Sequence, residues 1–501
     1  MEKASLDHGN AMGEAFQLID RHGLAGELIL FADFLLRLGL VTMVLAQRRR
    51  SPESRIGWIL LLLGIPLLGT IIFLLVGETR LGRIRIRRHR QIREALDRPD
   101  IHADGDPDAR AHSMLDRSGS HLARLAEEIS GGAPVRGNTF ELFGDTAEVI
   151  SRMETDIDNA TEHCHFLFYI WLDDKAGTRI AEALMRAVAR GVECRVLVDG
   201  VGSKAFLKSS LCERMRSSGI KVQAALPANA IRAIFARLDL RNHRKIAVID
   251  RELAWTGSQN LAEASFAPKP KYAPWVDCVV RIEGPVAKEL HLLFVEGWYL
   301  DTDESLVEML KSPVPLRENG IIAQVVASGP NFRNQAATQL IQSCIHEADE
   351  ELILTTPYFV PDSATIMNLA TAARRGIKVT VVVPRRNDSH LVALASRSNY
   401  APLLEAGVNI LEFEGGLLHA KTITVDRRIA LVTSCNLDRR SFDLNFEAGV
   451  LVFDDNFASN LRFLQKSYME RSVPVRLEEW NQRSQWRNIC QNAAGLLSPL
   501  L

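Results

Sequence analysis

The chain lacks the usual devices of covalent stapling and nucleotide capture. Its 501 residues include 7 cysteines (164, 194, 212, 278, 344, 435, 490), odd in number, scattered and free of any C-x-x-C pair. That pattern argues against a disulfide framework and for reduced thiols in a domain facing the cytosol. With 60 Lys and Arg against 61 Asp and Glu the formal net charge is −1, so no global basic field favours nonspecific nucleic-acid binding. No G-x-G-x-x-G turn or P-loop opens a helix after a strand, which removes the common dinucleotide and nucleoside-triphosphate classes. The first 27 residues are polar and of mixed charge, and no A-x-A site follows an apolar core. No secretory signal peptide is therefore read.

Against these absences stands a repeated motif. Residues 242–260 read NHRKIAVIDRELAWTGSQN, and residues 418–436 read LHAKTITVDRRIALVTSCN. Both spell H-x-K-x4-D, through His243, Lys245 and Asp250 and then His419, Lys421 and Asp426. Each is followed in register by Ser-x-Asn: Ser258 and Asn260, then Ser434 and Asn436. One H-x-K-x4-D arises by chance in roughly a few per cent of chains this long. Two copies with matching tails are a strong signal.

The apolar runs after each histidine are β-prone, and alternation along a strand puts the histidine and lysine on one face. Two such motifs facing one another supply two imidazoles and two ammoniums, which is what transfer at a phosphodiester requires without a metal or organic cofactor. One neutral imidazole attacks phosphorus, and the other, as imidazolium, protonates the departing oxygen. Lys245, Lys421, Asn260 and Asn436 are expected to cradle the non-bridging oxygens, with Ser258 and Ser434 in support. Asp250 and Asp426 complete the motif but fall on the opposite strand face, so they read as structural charge partners rather than acids. An imidazole nucleophile also needs its second nitrogen held by a carboxylate. Asp277 in WVDCVVRIEGP and Glu447 in LNFEAGVLVF stand at matching places after the two motifs and are the candidates. His163 and His165 alternate at a strand start, but no third ligand sits at a recognisable spacing, so no metal site is read.

The soluble part repeats once, as an α/β protein of two similar halves, residues 137–312 and 313–501. CHFLFYIWLDD (164–174) matches ELILTTPYFVPD (351–362), and RGVECRVLVDG (190–200) matches RGIKVTVVVPR (375–385). SSGIKVQAAL (217–226) matches EAGVNILEF (405–413), and the histidine strands come last in each half. Residues 95–136 read as a polar linker with one short helix. Residues 1–94 read as a membrane region with apolar segments at 28–46 and 56–77. The second, IGWILLLLGIPLLGTIIFLLVG, carries no charge and has the length of a spanning helix kinked at Pro66. The first is interrupted by Asp33 and Arg37, which at i,i+4 can pair on one face; it reads as a second span or as an interfacial segment. The arginines 80, 83, 85, 87, 88 and 90 that follow suit anionic head groups or a stop-transfer flank, and they place the catalytic part in the cytosol. The stretch IRAIFARLDL (231–240) reads as core packing or a hinged loop, and Tyr272 with Trp275 beside Lys269 and Lys271 has the composition of an interfacial patch.

These motifs resemble those of the phospholipase D superfamily, and within it of the bacterial cardiolipin synthases. The likeness runs nearly end to end, through WILLLLGIPLLGTIIFLLVGE, RNHRKIAVID, TPYFVPD, LHAKTITVD, NLDRRSFDLNFE and the terminal LLSPLL. The resemblance implies the phospholipase D fold, with the two halves packed around one shared site behind a membrane helical hairpin. It implies transfer of a phosphatidyl group between two phosphatidylglycerol molecules through a phosphohistidine, at a bacterial inner membrane. One histidine is then the nucleophile and the other the acid/base; we assign these to His243 and His419. Thr433 departs from the family in replacing the Gly of the second G-S-x-N, Arg251 stands where a glycine is frequent, and ASFAPKPKY replaces an acidic, tyrosine-containing run. The competing readings are a phospholipase or nuclease that uses water as acceptor, transfer to another alcohol, and a non-enzymatic scaffold. Oligomeric state is not encoded in any of these motifs.

Overall fold

A computed structural model describes residues 31–47, 52–65, 67–77, 83–98, 101–227, 237, 239–331 and 335–496. The chain divides into two compact units, residues 1–80 with 236–238, and residues 81–235 with 239–501.

In the first unit the charge-free stretch is not one helix. It forms Pro52–Gly64 and Leu68–Val76, of 13 and 9 residues. Proline has no N–H to continue the ladder, and it disfavours the helical region for the residue before it. Leu67 then takes a φ of 60°. The second helix folds back, so that Trp58 meets Phe73 edge-on with ring centroids 5.3 Å apart. At about 1.5 Å per residue these helices reach only about 20 and 14 Å. No helix among the described residues is long and apolar enough to cross a membrane; the segment expected to form one spanning helix is described as two shorter helices. Asp33 and Arg37 do pair, at 2.7 Å. Phe34, Leu38, Ile56, Leu60, Leu63, Leu68 and Ile71 remain exposed.

The second unit is built on one 16-stranded sheet. Its order through the first half is Lys221–Ala225, Glu193–Asp199, His163–Phe168, Lys245–Ile249, Leu253–Gly257, Val279–Glu283 and Val135–Phe143. The second half then runs in mirror order: Ile321–Ser328, Asn445–Phe453, Ile429–Thr433, Thr422–Val425, Glu351–Thr355, Lys378–Pro384 and Asn409–Phe413, with Ser472–Pro474 at the edge. The halves join where Val135–Phe143 pairs antiparallel with Ile321–Ser328. The expected duplication is thus present, and the palindromic order gives the sheet a pseudo-twofold axis at the junction. Helices cover the sheet, so its central strands are buried along their whole length. That is why Lys245–Ile249 reads as a continuous apolar run after the lysine, and why even the threonines of Thr422–Val425 are buried.

The basic cluster departs from the expected charge logic. Arg85 pairs with Asp301 at 2.6 Å, Arg88 with Asp303 at 3.1 Å and His89 with Glu296 at 3.2 Å. These members of the basic cluster dock helix Arg83–Leu96 onto Pro285–Thr302 instead of pointing to head groups; Arg87 and Arg90 stay exposed. Segment 101–134 contributes helix Arg117–Ser130, whose Leu122, Ala126 and Ile129 are buried in the second-half core. Most of IRAIFARLDL and of the terminal LLSPLL lies outside the described residues.

Asp250 and Asp426 each follow their motif strand at positive φ, 49° and 48°. The Asp250 carboxylate accepts the N–H groups of Thr161, Glu162 and His163 at 2.7–2.9 Å. Asp426 accepts those of Asp349, Glu350 and Glu351 at 2.8 Å. Their main partners are therefore backbone amides rather than the cations expected, and both carboxylates lock a motif strand to the start of its neighbour. Removing Asp426 strands three amides. Asp426→Ala is expected to lose about 2–3 kcal/mol, read as a lowered thermal midpoint of the full chain in detergent, with the Asp426→Asn loss smaller.

Candidate active site

The site forms because the two halves exchange short strands. Arg241–Asn242 pairs in parallel with Asn445–Phe446, and Trp275–Val276 pairs with Leu417–Leu418. Each pairing ends at a histidine: His243 N–H donates to Phe446 O at 2.9 Å, and His419 N–H donates to Val276 O at 2.7 Å. The residue after each partner is a carboxylate. Glu447 therefore reaches His243 Nδ1 at 2.9 Å, and Asp277 reaches His419 Nδ1 at 2.7 Å. Both carboxylates identified from their placement do hold an imidazole, but each holds the one belonging to the other half.

The serines back the carboxylates. Ser258 Oγ donates to Asp277 Oδ1 at 2.5 Å and accepts the Cys278 N–H at 3.0 Å. Ser434 Oγ donates to Glu447 Oε2 and accepts the Ala448 N–H at 3.0 Å. Two mirror chains result, Ser258–Asp277–His419 and Ser434–Glu447–His243. The lysines sit beneath the rings, Lys245 Nζ donating to His243 O and Lys421 Nζ to His419 O, each at 2.6 Å. Asn260 Oδ1 accepts the Ile170 N–H at 3.2 Å, and Asn436 Nδ2 donates to Ser441 Oγ at 3.2 Å.

The electrostatics follow from burial. Asp277 and Glu447 are sealed from water, which opposes ionisation, yet the histidines, lysines and serines around them outweigh that and hold both below the usual carboxylate range. An ionised carboxylate only accepts, so each Nδ1 carries the hydrogen and each neutral ring keeps its Nε2 lone pair. Burial lowers both histidines to about 4, against the pull of the carboxylates. It also lowers Lys245 to about 7 and Lys421 to about 8. The free site thus rests with two neutral imidazoles.

Sequence reasoning missed the aromatic walls. Tyr169 stands edge-on to His243 at 4.8 Å, with Lys245 Nζ 5.4 Å from its ring centroid. Trp275, expected in an interfacial patch, is buried against His419 at 4.7 Å and stacks on Phe266 at 3.9 Å. Tyr169 and Tyr358 follow equivalent strands in the two halves, and that shared position is the signal that would have found them. Tyr358 donates to Asp388 at 2.8 Å, and Asp388 binds Lys269 of the opposite half at 2.5 Å. Two departures are explained by packing. Thr433 faces Gly449 across the ladder, where Gly257 faces Val279. A Cβ on Gly449 would lie 2.7 Å from that of Thr433, so the glycine has moved to the partner strand. Arg251 and Arg427 both adopt positive φ in the same tight turn, so the turn tolerates a side chain in each half.

A family model described as the PLD-like domain of cardiolipin synthase matches residues 153–295 and 341–466. The chain belongs to this family. The N-terminal region of the phospholipase D-nuclease type matches residues 35–78. Cardiolipin synthase A of Erwinia tasmaniensis is 38% identical over 480 residues, covering 95% of this chain and 98% of that protein. Its counterpart in Edwardsiella ictaluri is 36% identical over 467 residues, covering 92% and 96%. Among solved structures, phosphatidylserine synthase of Haemophilus influenzae overlays on 77% of this chain and 100% of its own with a TM-score of 0.57 at 16% identity, a likeness of fold. The family model matches in two segments, and with the mirrored strand order this shows that the chain carries the fold in duplicate.

The lowered histidine values set a pH dependence. Between about 4 and 6.5 the unfolded rings bind protons that the folded rings do not, so stability rises with pH across that window. Each ring contributes up to about 1.4 kcal/mol per pH unit. Thermal midpoints from pH 4.5 to 6.5 should climb in the wild type, and more shallowly in a His243→Gln/His419→Gln double variant.

Proposed function

We propose that the protein condenses two phosphatidylglycerol molecules into cardiolipin and glycerol through a phosphohistidine. The observation that carries this reading is the crossed pair of carboxylates, which engages Nδ1 of both imidazoles and leaves both Nε2 atoms for chemistry. In the first step His243 Nε2 attacks phosphorus as the P–O bond to the glycerol head group breaks, and the leaving oxygen takes its proton from His419. The approaching phosphodiester anion and ionised Asp277 favour the imidazolium form of His419 that this step needs. In the second step a hydroxyl of another phosphatidylglycerol attacks the phosphohistidine and His419 recovers a proton. The P–N bond breaks, cardiolipin departs, and His243 is restored. Lys245 and Lys421 stabilise charge on the non-bridging oxygens, assisted by Asn260 and Asn436. Ser258 and Ser434 act through the carboxylates. No metal or organic cofactor enters these steps.

The substrate class is supported by the surroundings. A groove lined by Lys271, Tyr272, Arg385 and Arg386, with Glu414 paired to Arg385, adjoins the Trp275–Val276 and Leu417–Leu418 pairing beside His419; its excess of cations suits an anionic head group. The exposed apolar side chains of the first unit favour attachment to the bacterial inner membrane by insertion into the lipid surface. The names of the cardiolipin synthase A relatives point to the same reaction.

Lipid product analysis tests this. Purified full-length protein in phosphatidylglycerol vesicles should yield cardiolipin and free glycerol in equal amounts, lost in His243→Ala and in His419→Ala. Asp277→Asn and Glu447→Gln should each lower kcat by about 10²–10⁴ with a smaller change in KM. Phosphatidic acid as the sole product would reassign the protein to the hydrolases, and cardiolipin formation surviving loss of either histidine would end the paired-imidazole mechanism.

A further inference from the structure

Between the first-half sheet and helix Pro285–Thr302 lies a cluster that the proposed chemistry leaves unused. His163 and His165 project from one face of strand His163–Phe168, and His291 comes from the helix; all three are 0% exposed. Their ring centroids form a triangle with sides of 4.5, 5.0 and 5.0 Å. One nitrogen from each lies within 4.8 Å of the other two. A single hydrogen bond closes the group internally, His165 Nδ1 with His291 Nε2 at 2.8 Å. Both nitrogens of His163 and Nδ1 of His291 have no hydrogen-bond partner.

The other half of the repeat serves as an internal control. There, helix Asp455–Glu470 also covers buried polar side chains on the sheet, but these satisfy one another. Thr355 Oγ1 meets Thr422 Oγ1 at 2.7 Å, Thr424 Oγ1 donates to Gln465 at 2.8 Å, and Gln465 Nε2 donates to Thr422 at 2.9 Å. Dry polar atoms left without partners are rare in folded proteins because their desolvation goes uncompensated. A His163 ring with no partner at either nitrogen, packed against the His165–His291 pair, leaves room for a ligand between the three.

We propose that His163, His165 and His291 hold a divalent transition metal ion, zinc by the chemistry of the donors, as a structural staple with a water in the fourth position. Neutral imidazole is the ligating form. Two histidines at i,i+2 on a strand with a third from a packed element give a three-nitrogen set suited to tetrahedral zinc. Zinc–nitrogen bonds of about 2.0–2.1 Å place tetrahedral ligand atoms about 3.4 Å apart. The 2.8 Å pair therefore opens slightly as a His163 nitrogen moves in. Ligation through Nδ1 puts the His165 hydrogen on Nε2, facing Arg195 Nη1 at 3.3 Å. Arg195 then relies on Glu193 and Glu304, which it already contacts at 2.7 and 2.9 Å. The ion would tie helix Pro285–Thr302 to the strand that pairs with Lys245–Ile249, so it supports the first motif from behind without touching substrate.

The test uses the full chain in detergent, purified without chelator or polyhistidine tag and dialysed against micromolar zinc and then zinc-free buffer. Elemental analysis should find about one zinc per chain, and His163→Gln and His291→Gln should each fall below about a tenth of that. Chelation should lower the thermal midpoint of the wild type and leave that of folded variants unchanged. If the variants fail to fold, cobalt substitution of the wild type should give the visible bands of a tetrahedral nitrogen-ligated site. A wild type that retains less than about a tenth of an equivalent and shows no cobalt spectrum, or a folded His291→Gln that keeps its full zinc, overturns the proposal.

Discussion

The exchange of carboxylates between halves is the constraint around which this protein is arranged. Glu447 holds His243 and Asp277 holds His419, so neither half has a complete proton-handling unit. Each carboxylate lies where it does because a two-residue strand from one half pairs with the other and stops beside the histidine. The same backbone ladders that join the halves therefore set the ring orientation. A shift of either half would break both chains together, which ties the geometry of the chemistry to the integrity of the 16-stranded sheet.

The polar groups of the motif divide by depth. The histidines carry the nitrogens proposed to react, the serines sit behind the carboxylates, and the aspartates lie a strand-length away, pinning backbone amides. One motif thus encodes a reacting group, its electrostatic partner and a folding contact. The lysines bring a tension of their own. Burial that lowers them towards neutrality also strengthens every interaction with an incoming phosphate, because fewer solvent dipoles compete.

The apolar N-terminal stretch shows how backbone continuity alters the outcome of a composition. Its length and lack of charge are those of a spanning helix, yet it is described as two helices, Pro52–Gly64 and Leu68–Val76, and Trp58 packs on Phe73. Hydropathy reports the preferred solvent of the side chains; it does not report whether the backbone stays continuous. The arginines after it show the same limit. Their charge suggested lipid, but Asp301 and Asp303, at the end of a helix distant in sequence, claim Arg85 and Arg88.

The sequence by itself determined the duplication and the α/β class, and it singled out His243, Lys245, His419 and Lys421 with the carboxylates Asp277 and Glu447 as the groups proposed to act together. These are legible because strand alternation is local and because two copies in register filter out chance. It could not determine which carboxylate serves which histidine. Both lie at matching places in their own halves, and the crossing exists only once strands some 140 to 200 residues apart have paired. The aromatic walls Tyr169 and Trp275 and the histidine triangle with His291 were out of reach for the same reason. Spacing along a chain fixes what shares a strand face, whereas what meets that face from another element is decided by packing in three dimensions.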